Sequence, residues 1–136
     1  MQRLEDCMGA WGTQILEDDV AADVYADFMQ RYEDGLTPAA IRRELEDEYS
    51  DYLEDEDDMP LFWFAMTQAQ WEIAQLQPSV LAKVSALIAA GRGLERWREA
   101  GEEALHERQW VLAQFLTQLQ EANSAPHKRG HKTPET

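Results

Sequence analysis

Glu103 and His106 place a carboxylate and an imidazole three residues apart. On a helix this spacing puts both side chains on one face, which is the arrangement of carboxylate-bridged di-iron bundles. Such a centre requires a second pair of the same kind, and the sequence has none. The other two histidines, His127 and His131, lie near the C-terminus, away from any rigid frame for a Ser-His-Asp or Cys-His site. We therefore assign no catalytic residue and expect no cofactor.

Carboxylates also crowd the start of the first predicted helix, at Glu17, Asp18, Asp19, Asp23 and Asp27. There they favour the positive end of the helix dipole, which explains them without a ligand. A calcium loop would need alternating aspartates, a central glycine and a closing glutamate, so no metal site is expected. One alternative stays open, a metal- or ligand-dependent enzyme whose carboxylate site is assembled by folding. Its candidate residues are Asp18, Asp19, Asp23, Glu103 and His106.

An uninterrupted acidic run occupies residues 54–58, just before the aromatic sequence at 61–64. Such a run is most often a solubilising loop, but beside aromatic residues it can frame a docking surface for a cationic partner. We predict a partner-binding role for the acidic residues between 47 and 58, with Phe62 or Trp63 as an aromatic anchor if exposed. The acidic residues assigned to it are Asp47, Glu48, Asp51, Glu54, Asp55, Glu56, Asp57 and Asp58.

The charge of the chain supports the same kind of partner. The formal net charge is −15, which repels nucleic-acid phosphates and anionic lipid and argues against both as direct ligands. Residues 1–59 hold 19 acidic and 4 basic side chains, whereas residues 60–136 hold 8 of each. Because the whole imbalance lies in the first half, a basic protein partner is expected to bind there.

Length and composition predict one folded domain. The 136 residues suffice for a single core, and 44% of them are hydrophobic, including five tryptophans,. The N-terminal segment has Glu5 and Asp6 where a signal peptide would be apolar, and no stretch is long and apolar enough to span a membrane. The single cysteine, Cys7, cannot form an internal disulfide. A cytoplasmic protein is expected.

Hydrophobic periodicity and helix-stop residues predict an all-α, irregular bundle of about five to six helices. The second helix has the apolar stripe Ile41, Leu45 and Tyr49, followed by Tyr52 or Leu53. The acidic run interrupts it, because like charges one turn apart repel each other. The helix after the run is apolar around much of its circumference and is expected to be the most buried. The predicted helices span residues 19–34, 38–54, 61–76, 78–90, 94–100 and 102–123.

The ends of the chain are predicted to differ from this helical domain. Residues 1–8 form an extension or arm, residues 9–123 form the domain, and residues 124–136 form a flexible basic tail. Within the domain, the glycine-flanked Trp11 is expected to sit in an ordered N-terminal arm that packs on the body. The basic tail is expected either to be functionally silent or to fold back on the acidic half.

One family resemblance is visible. The string from Met8 to Thr13, Met-Gly-Ala-Trp-Gly-Thr, is followed by Asp18-Asp19, and the chain resembles a functionally uncharacterised family of small acidic bacterial proteins. These proteins open with Met-Gly-Ala/Thr-Trp-Gly and an Asp-Asp helix cap, and the likeness extends over about residues 8–120 through Gln70-Trp71 and the segment 94–97. The resemblance implies a helical cytosolic domain, and it carries no assigned reaction, ligand or catalytic residue.

Two main functional hypotheses follow. The leading one is a non-enzymatic protein-interaction module, with an immunity or antitoxin-like role, whose acidic face binds a basic protein such as a nuclease. The alternative is the carboxylate-based enzyme described above, which would require a concave pocket lined by converging polar groups. A further alternative is a homo-oligomer that associates through the aromatic surface of helix 61–76, with the charge serving solubility only.

Overall fold

The structure is a computed structural model that describes Ile15 and residues 19–92 and 94–121, apart from the side chains of residues 95 and 96. The part so described is all-α, as predicted, and contains no strand. Its helices are α1 (Asp19–Glu33), α2 (Pro38–Glu48), α3 (Ser50–Leu53), α4 (Met59–Glu72), α5 (Pro78–Ala89), α6 (Glu95–Ala100) and α7 (Glu102–Leu119). The predicted N-terminal arm around Trp11 and the predicted basic tail lie outside these residues.

Helix α4 is the centre of the bundle. Every residue from 60 to 70 is buried, and α1, α3 and α5 all pack against this helix. The prediction that it is the most buried helix is thus confirmed, and the next helix in the chain, α5, packs against it. Phe64 meets Phe115 of α7 edge-on, with ring centroids 6.1 Å apart. Trp71 Nε1 donates a hydrogen bond to the Glu121 carbonyl oxygen at 2.9 Å, which ties the end of α4 to the chain beyond α7.

Helices α1 and α2 form where their residue patterns predict. The α1 positions Ala21, Val24, Phe28 and Tyr32 are all buried and form its core-facing stripe. The helix ends at Glu33 and is closed by Gly35, whose φ of 105° is accessible to glycine at little cost,. Helix α2 then starts with Pro38 in its first turn, and the Thr37 hydroxyl caps it by accepting a hydrogen bond from the Ala40 amide at 3.2 Å,.

The predicted helix 38–54 is divided in the structure. At Tyr49 the backbone has φ −102° and ψ 25°, outside the helical range, so α2 stops and the four-residue α3 follows. Of the two residues considered for the end of the apolar stripe, Leu53 is half-buried and Tyr52 is exposed. The break after residue 54 is confirmed, but α4 already begins at Met59, because Pro60 is tolerated in the first turn of a helix,.

Helix α4 ends four residues earlier than predicted, at Glu72. Ala74 adopts φ 60°, the left-handed conformation that closes a helix,. The Ala74 amide donates to the Trp71 carbonyl and the Gln75 amide donates to the Gln70 carbonyl, both at 2.9 Å, which is a Schellman motif,. The corresponding positions after α1 and α5 are Gly35 and Gly91. This helix end could not be predicted from residue type, because alanine is a helix-forming residue.

Ala74→Gly is expected to raise the free energy of unfolding by about 0.5–1 kcal/mol. The left-handed conformation costs a non-glycine residue roughly 1–2 kcal/mol, and the greater freedom of glycine in the unfolded chain offsets part of that gain. Urea denaturation would measure the difference. The matched control is Ala82→Gly in the exposed middle of α5, where the same exchange should lower stability by about 1 kcal/mol,. A loss of stability in both variants would contradict the strain at Ala74.

The remaining helices follow their predicted order. Helix α5 buries Val80 and Val84, and Gly91, with φ 77°, closes it. Helix α6 packs against α7, and Gly101 with φ 120° and ψ 167° separates the two. Helix α7 ends at Leu119 rather than at residue 123. Among the described helices, none is both long enough and apolar enough to cross a membrane.

Candidate functional site

We use the name acidic surface for the acidic side chains between residues 47 and 58, at the end of α2, on α3 and in the following loop. Seven of them are exposed, namely Asp47, Glu48, Asp51, Glu54, Asp55, Glu56 and Asp57, and Asp58 is half-buried. The sequence contains no lysine or arginine between residues 44 and 82. The negative charge of this surface is therefore not neutralised by a basic residue within the same segment.

Tyr49 attaches the acidic surface to the core. Its side chain is buried, and its ring contacts Phe62 at a centroid distance of 5.9 Å and Tyr52 at 5.5 Å. Its hydroxyl donates a hydrogen bond to Asp27 of α1 at 2.5 Å. Burial, the hydrogen bond to Asp27 and the negative charge around it raise the pKa of Tyr49,. This residue therefore joins α1, α2 and α4 directly beneath the exposed carboxylates.

The acidic loop after α3 is held in a defined conformation. The Asp55 carboxylate accepts hydrogen bonds from the amides of Asp57 at 2.8 Å and Asp58 at 3.1 Å, which closes a local turn,. Arg92, beyond the end of α5, donates from Nη2 to the Glu56 carbonyl oxygen at 2.8 Å. These bonds involve backbone atoms of the loop and the Asp55 carboxylate. They order the loop without using its other acidic side chains.

Part of the negative charge on α2 is compensated by α1. Arg31 forms ion pairs with Glu44 at 2.9 Å and with Glu48 at 2.7 Å. Because both glutamates are about half exposed, these pairs stabilise little and are weakened by salt. Glu48 thus already has a cationic neighbour in Arg31. Asp51, Glu54 and Asp57 carry more of the negative charge that no described ion pair compensates.

Phe62 or Trp63 was predicted to anchor a partner if it is exposed, and neither residue is exposed. Phe62 is 0% exposed and Trp63 is 5% exposed, so neither can anchor a partner on the folded domain. The reason is that α4 is surrounded by other helices, and its aromatic rings form the core. The exposed aromatic residue within the acidic surface is instead Tyr52, 40% exposed. The periodicity of α2 predicted that either Tyr52 or Leu53 ends the apolar stripe of a continuous helix. It could not predict the break at Tyr49, because no residue type there indicates one.

Those residues of the enzyme alternative that the structure describes are not gathered into a metal site. In the described part of the chain, no three His, Cys, Asp or Glu side chains are close enough to hold a metal ion. Glu103 and His106 are both exposed on α7. Asp19 and Asp23 are exposed on α1, and Asp18 lies outside the described residues. Of the aromatic residues of α4 that the oligomer alternative would use, Phe62, Trp63 and Phe64 are buried and Trp71 is half-buried.

Of two further features, the contacts of Glu72 have no signal in the sequence, and the exposure of Trp110 differs from the core position that its helical spacing predicts. Glu72 accepts hydrogen bonds from the Tyr25 hydroxyl and, at 2.5 Å, from Gln68 Nε2, so a half-buried carboxylate joins α1 to α4. Burial, the hydrogen bond to Glu72 and the charge of that carboxylate raise the pKa of Tyr25,. On α7, Trp110 is 59% exposed, although tryptophans at helical spacing are usually core residues.

The described residues define an all-α protein with a strongly acidic surface and an exposed tyrosine within it. The chain matches no family model, and comparisons with curated proteins and with solved structures likewise gave no match.

Proposed function

We propose that this protein is a non-enzymatic interaction module that binds a basic protein through the acidic surface. The observation that carries the proposal is the run of seven exposed carboxylates around Tyr52, on a segment without any basic residue. Such a surface attracts a positively charged partner over several ångströms and accelerates its association. An immunity or antitoxin-like role, in which the partner is a basic nuclease, fits this chemistry.

The structure supports the proposal in two ways. First, Tyr49, Asp55 and Arg92 fix the backbone beneath the carboxylates, so that little conformational entropy is lost when a partner binds,. Second, Tyr52 supplies an amphipathic ring of the type that is enriched at interface hot spots,. The acidic residues would then steer the encounter, and Tyr52 would contribute to the lifetime of the complex.

The test begins with capture of partners by the tagged full chain from an extract of its own cells, followed by association kinetics with each purified partner. The triple variant Asp51→Asn, Glu54→Gln, Glu56→Gln removes three exposed carboxylates of the acidic surface with little change in shape. We expect association with a basic partner to slow by about tenfold at low salt, and less at physiological salt, because these charges are screened.

The matched control is Glu102→Gln, Glu103→Gln, Glu107→Gln, which removes three exposed carboxylates from α7. It changes the net charge equally, so a small effect of the control assigns the steering to the acidic surface. Equal slowing in both variants would mean that only total charge matters. An association rate that is insensitive to the first triple variant would reject the proposal.

A further inference from the structure

Ser79 lies at the start of α5, next to a cation of α2. Its side chain is exposed, and it occupies the second position of α5, after Pro78. Its hydroxyl oxygen accepts a hydrogen bond from Arg42 Nη1 at 2.9 Å. The same guanidinium bonds Glu46 through a different nitrogen, Nε, at 2.7 Å. One donor of Arg42 is therefore directed at Ser79 while its ion pair within α2 remains intact.

A second cation belongs to the same group of side chains. Lys83 follows Ser79 by four residues on α5, a spacing that makes the two side chains neighbours on the helix surface,. Lys83 Nζ lies 5.1 Å and the Arg42 guanidinium carbon 5.2 Å from the centroid of the Trp63 ring. Both distances are within the range of cation–π attraction. Lys83 forms no ion pair with any residue that the structure describes, so its positive charge is not compensated there.

These surroundings favour a phosphate group on Ser79. A phosphoserine carries about −1.5 to −2 charges at pH 7 and three strong acceptor oxygens. Negative charge in the first turn of a helix is favoured by the helix dipole, and an anion is attracted to a lysine four residues later. A guanidinium that already donates to the hydroxyl forms a stronger, charge-assisted bond to a phosphate oxygen. The Glu46 carboxylate opposes these interactions, but it is one negative charge against the positive charges of Arg42 and Lys83.

We propose that Ser79 is a phosphorylation site, at which Arg42 and Lys83 hold the phosphate. A separate protein kinase transfers the γ-phosphoryl group of a nucleoside triphosphate to the Ser79 hydroxyl. The bond between Oγ and phosphorus forms, the bond from this phosphorus to the β-phosphate oxygen breaks, the nucleoside diphosphate leaves, and the hydroxyl proton passes to a base of the kinase. The phosphate then ties α5 to α2. Ser79 lies outside the acidic surface, so its modification does not depend on the proposed function.

Mass spectrometry of the full chain, isolated from its own cells in exponential and in stationary phase, tests the modification itself. We expect phosphate on residue 79, and its loss from this position in the variant Ser79→Ala expressed in the same cells. Chains without phosphate at residue 79 in both phases would overturn the proposal.

The role of the cations is tested on the full chain with phosphoserine incorporated during translation at residue 79 or, as a matched control, at residue 50. Ser50 is also exposed at the start of a helix, but no lysine or arginine occurs between residues 44 and 82. We expect phosphoserine to raise the midpoint of urea unfolding by roughly 0.5 M at residue 79 and to lower it at residue 50. The phosphorus NMR resonance should titrate at lower pH at residue 79, because the cations favour the dianion.

Arg42→Gln and Lys83→Gln locate the effect. Each variant is compared with and without phosphoserine at residue 79, so the cost of removing the cation itself cancels. We expect each to lose about half or more of the gain in midpoint and to titrate at higher pH. Arg98→Gln, an exposed arginine on α6, controls for net charge and should keep both properties. An equal gain at residues 79 and 50, or a gain that survives Arg42→Gln unchanged, would reject the site.

Discussion

Phe64→Ala is expected to lower the free energy of unfolding by about 3–5 kcal/mol, the largest effect of a single side chain that we predict. Phe64 is fully buried on the central helix, where its ring meets Phe115 edge-on. The Arg108 guanidinium, itself 3% exposed, lies 5.9 Å from the same ring. Truncation therefore opens a cavity at the junction of α4 and α7. Since small domains have a total stability of about 5–15 kcal/mol, much of it would be lost.

Denaturation by urea, followed by circular dichroism, measures this effect. Phe64→Leu is a milder second variant that can be measured even if Phe64→Ala does not fold. The leucine variant keeps most of the apolar volume and should lose roughly 1–1.5 kcal/mol. A double-mutant cycle with Phe115→Leu isolates the ring contact, for which we expect a coupling of about 0.5–1.5 kcal/mol. A cost of under about 1 kcal/mol for Phe64→Ala would contradict the central position of α4.

Local sequence signals were sufficient for most of the fold. The stripe Ala21, Val24, Phe28 and Tyr32 and the stop at Gly35 define α1 within one residue of its predicted span. The start of α2 at Pro38 follows from the Thr37 cap in the same way. These features act over a single helical turn, so their physical causes are present in neighbouring residues.

The deviations arise where tertiary contacts outweigh local preference. Ala74 closes α4 in a strained left-handed conformation that the turn into α5 imposes,. No residue type in the sequence predicts this conformation. Tyr49 ends α2 because its ring packs on Phe62 and its hydroxyl bonds to Asp27, two contacts with residues distant in sequence. A helix that continued through Tyr49 would have followed the apolar stripe, and Tyr52 would then have been placed in the core.

The candidate site was likewise predictable only where local sequence determines it. Composition alone located the acidic surface, because a run of carboxylates without basic neighbours is solvated in almost any fold. Its aromatic component could not be located in this way, since exposure of Tyr52 rather than Phe62 depends on how α3 and α4 pack. The two cations near Trp63 could not be predicted either, because Arg42 and Lys83 are forty-one residues apart in the sequence and only the fold brings both onto this ring.

Alkaline pH is expected to destabilise the domain steeply above about pH 10, the ordinary pKa of tyrosine. Folding raises the pKa of Tyr25 and of Tyr49, chiefly by burial and then by their hydrogen bonds to Glu72 and Asp27. The protonated phenols are therefore favoured in the folded state, and their contribution is fully present below the unfolded pKa. It is lost as the pH rises towards the folded values, because the unfolded chain releases these protons first. Each tyrosine then removes up to about 1.4 kcal/mol per pH unit.

The double variant Tyr25→Phe, Tyr49→Phe tests this assignment when unfolding by urea is measured from pH 8 to pH 12. At pH 8 it should be less stable than the wild type by about 2–4 kcal/mol, because two hydrogen bonds to carboxylates are absent. As the pH rises above 10 the wild type loses its advantage, so the two stability curves converge. Tyr52→Phe is the control, since the exposed Tyr52 hydroxyl bonds to no carboxylate among the described residues. Parallel curves for the wild type and the double variant would show that the two phenols do not govern the alkaline transition. Equal stability at pH 8 would show that the hydrogen bonds to Glu72 and Asp27 contribute less than their geometry indicates.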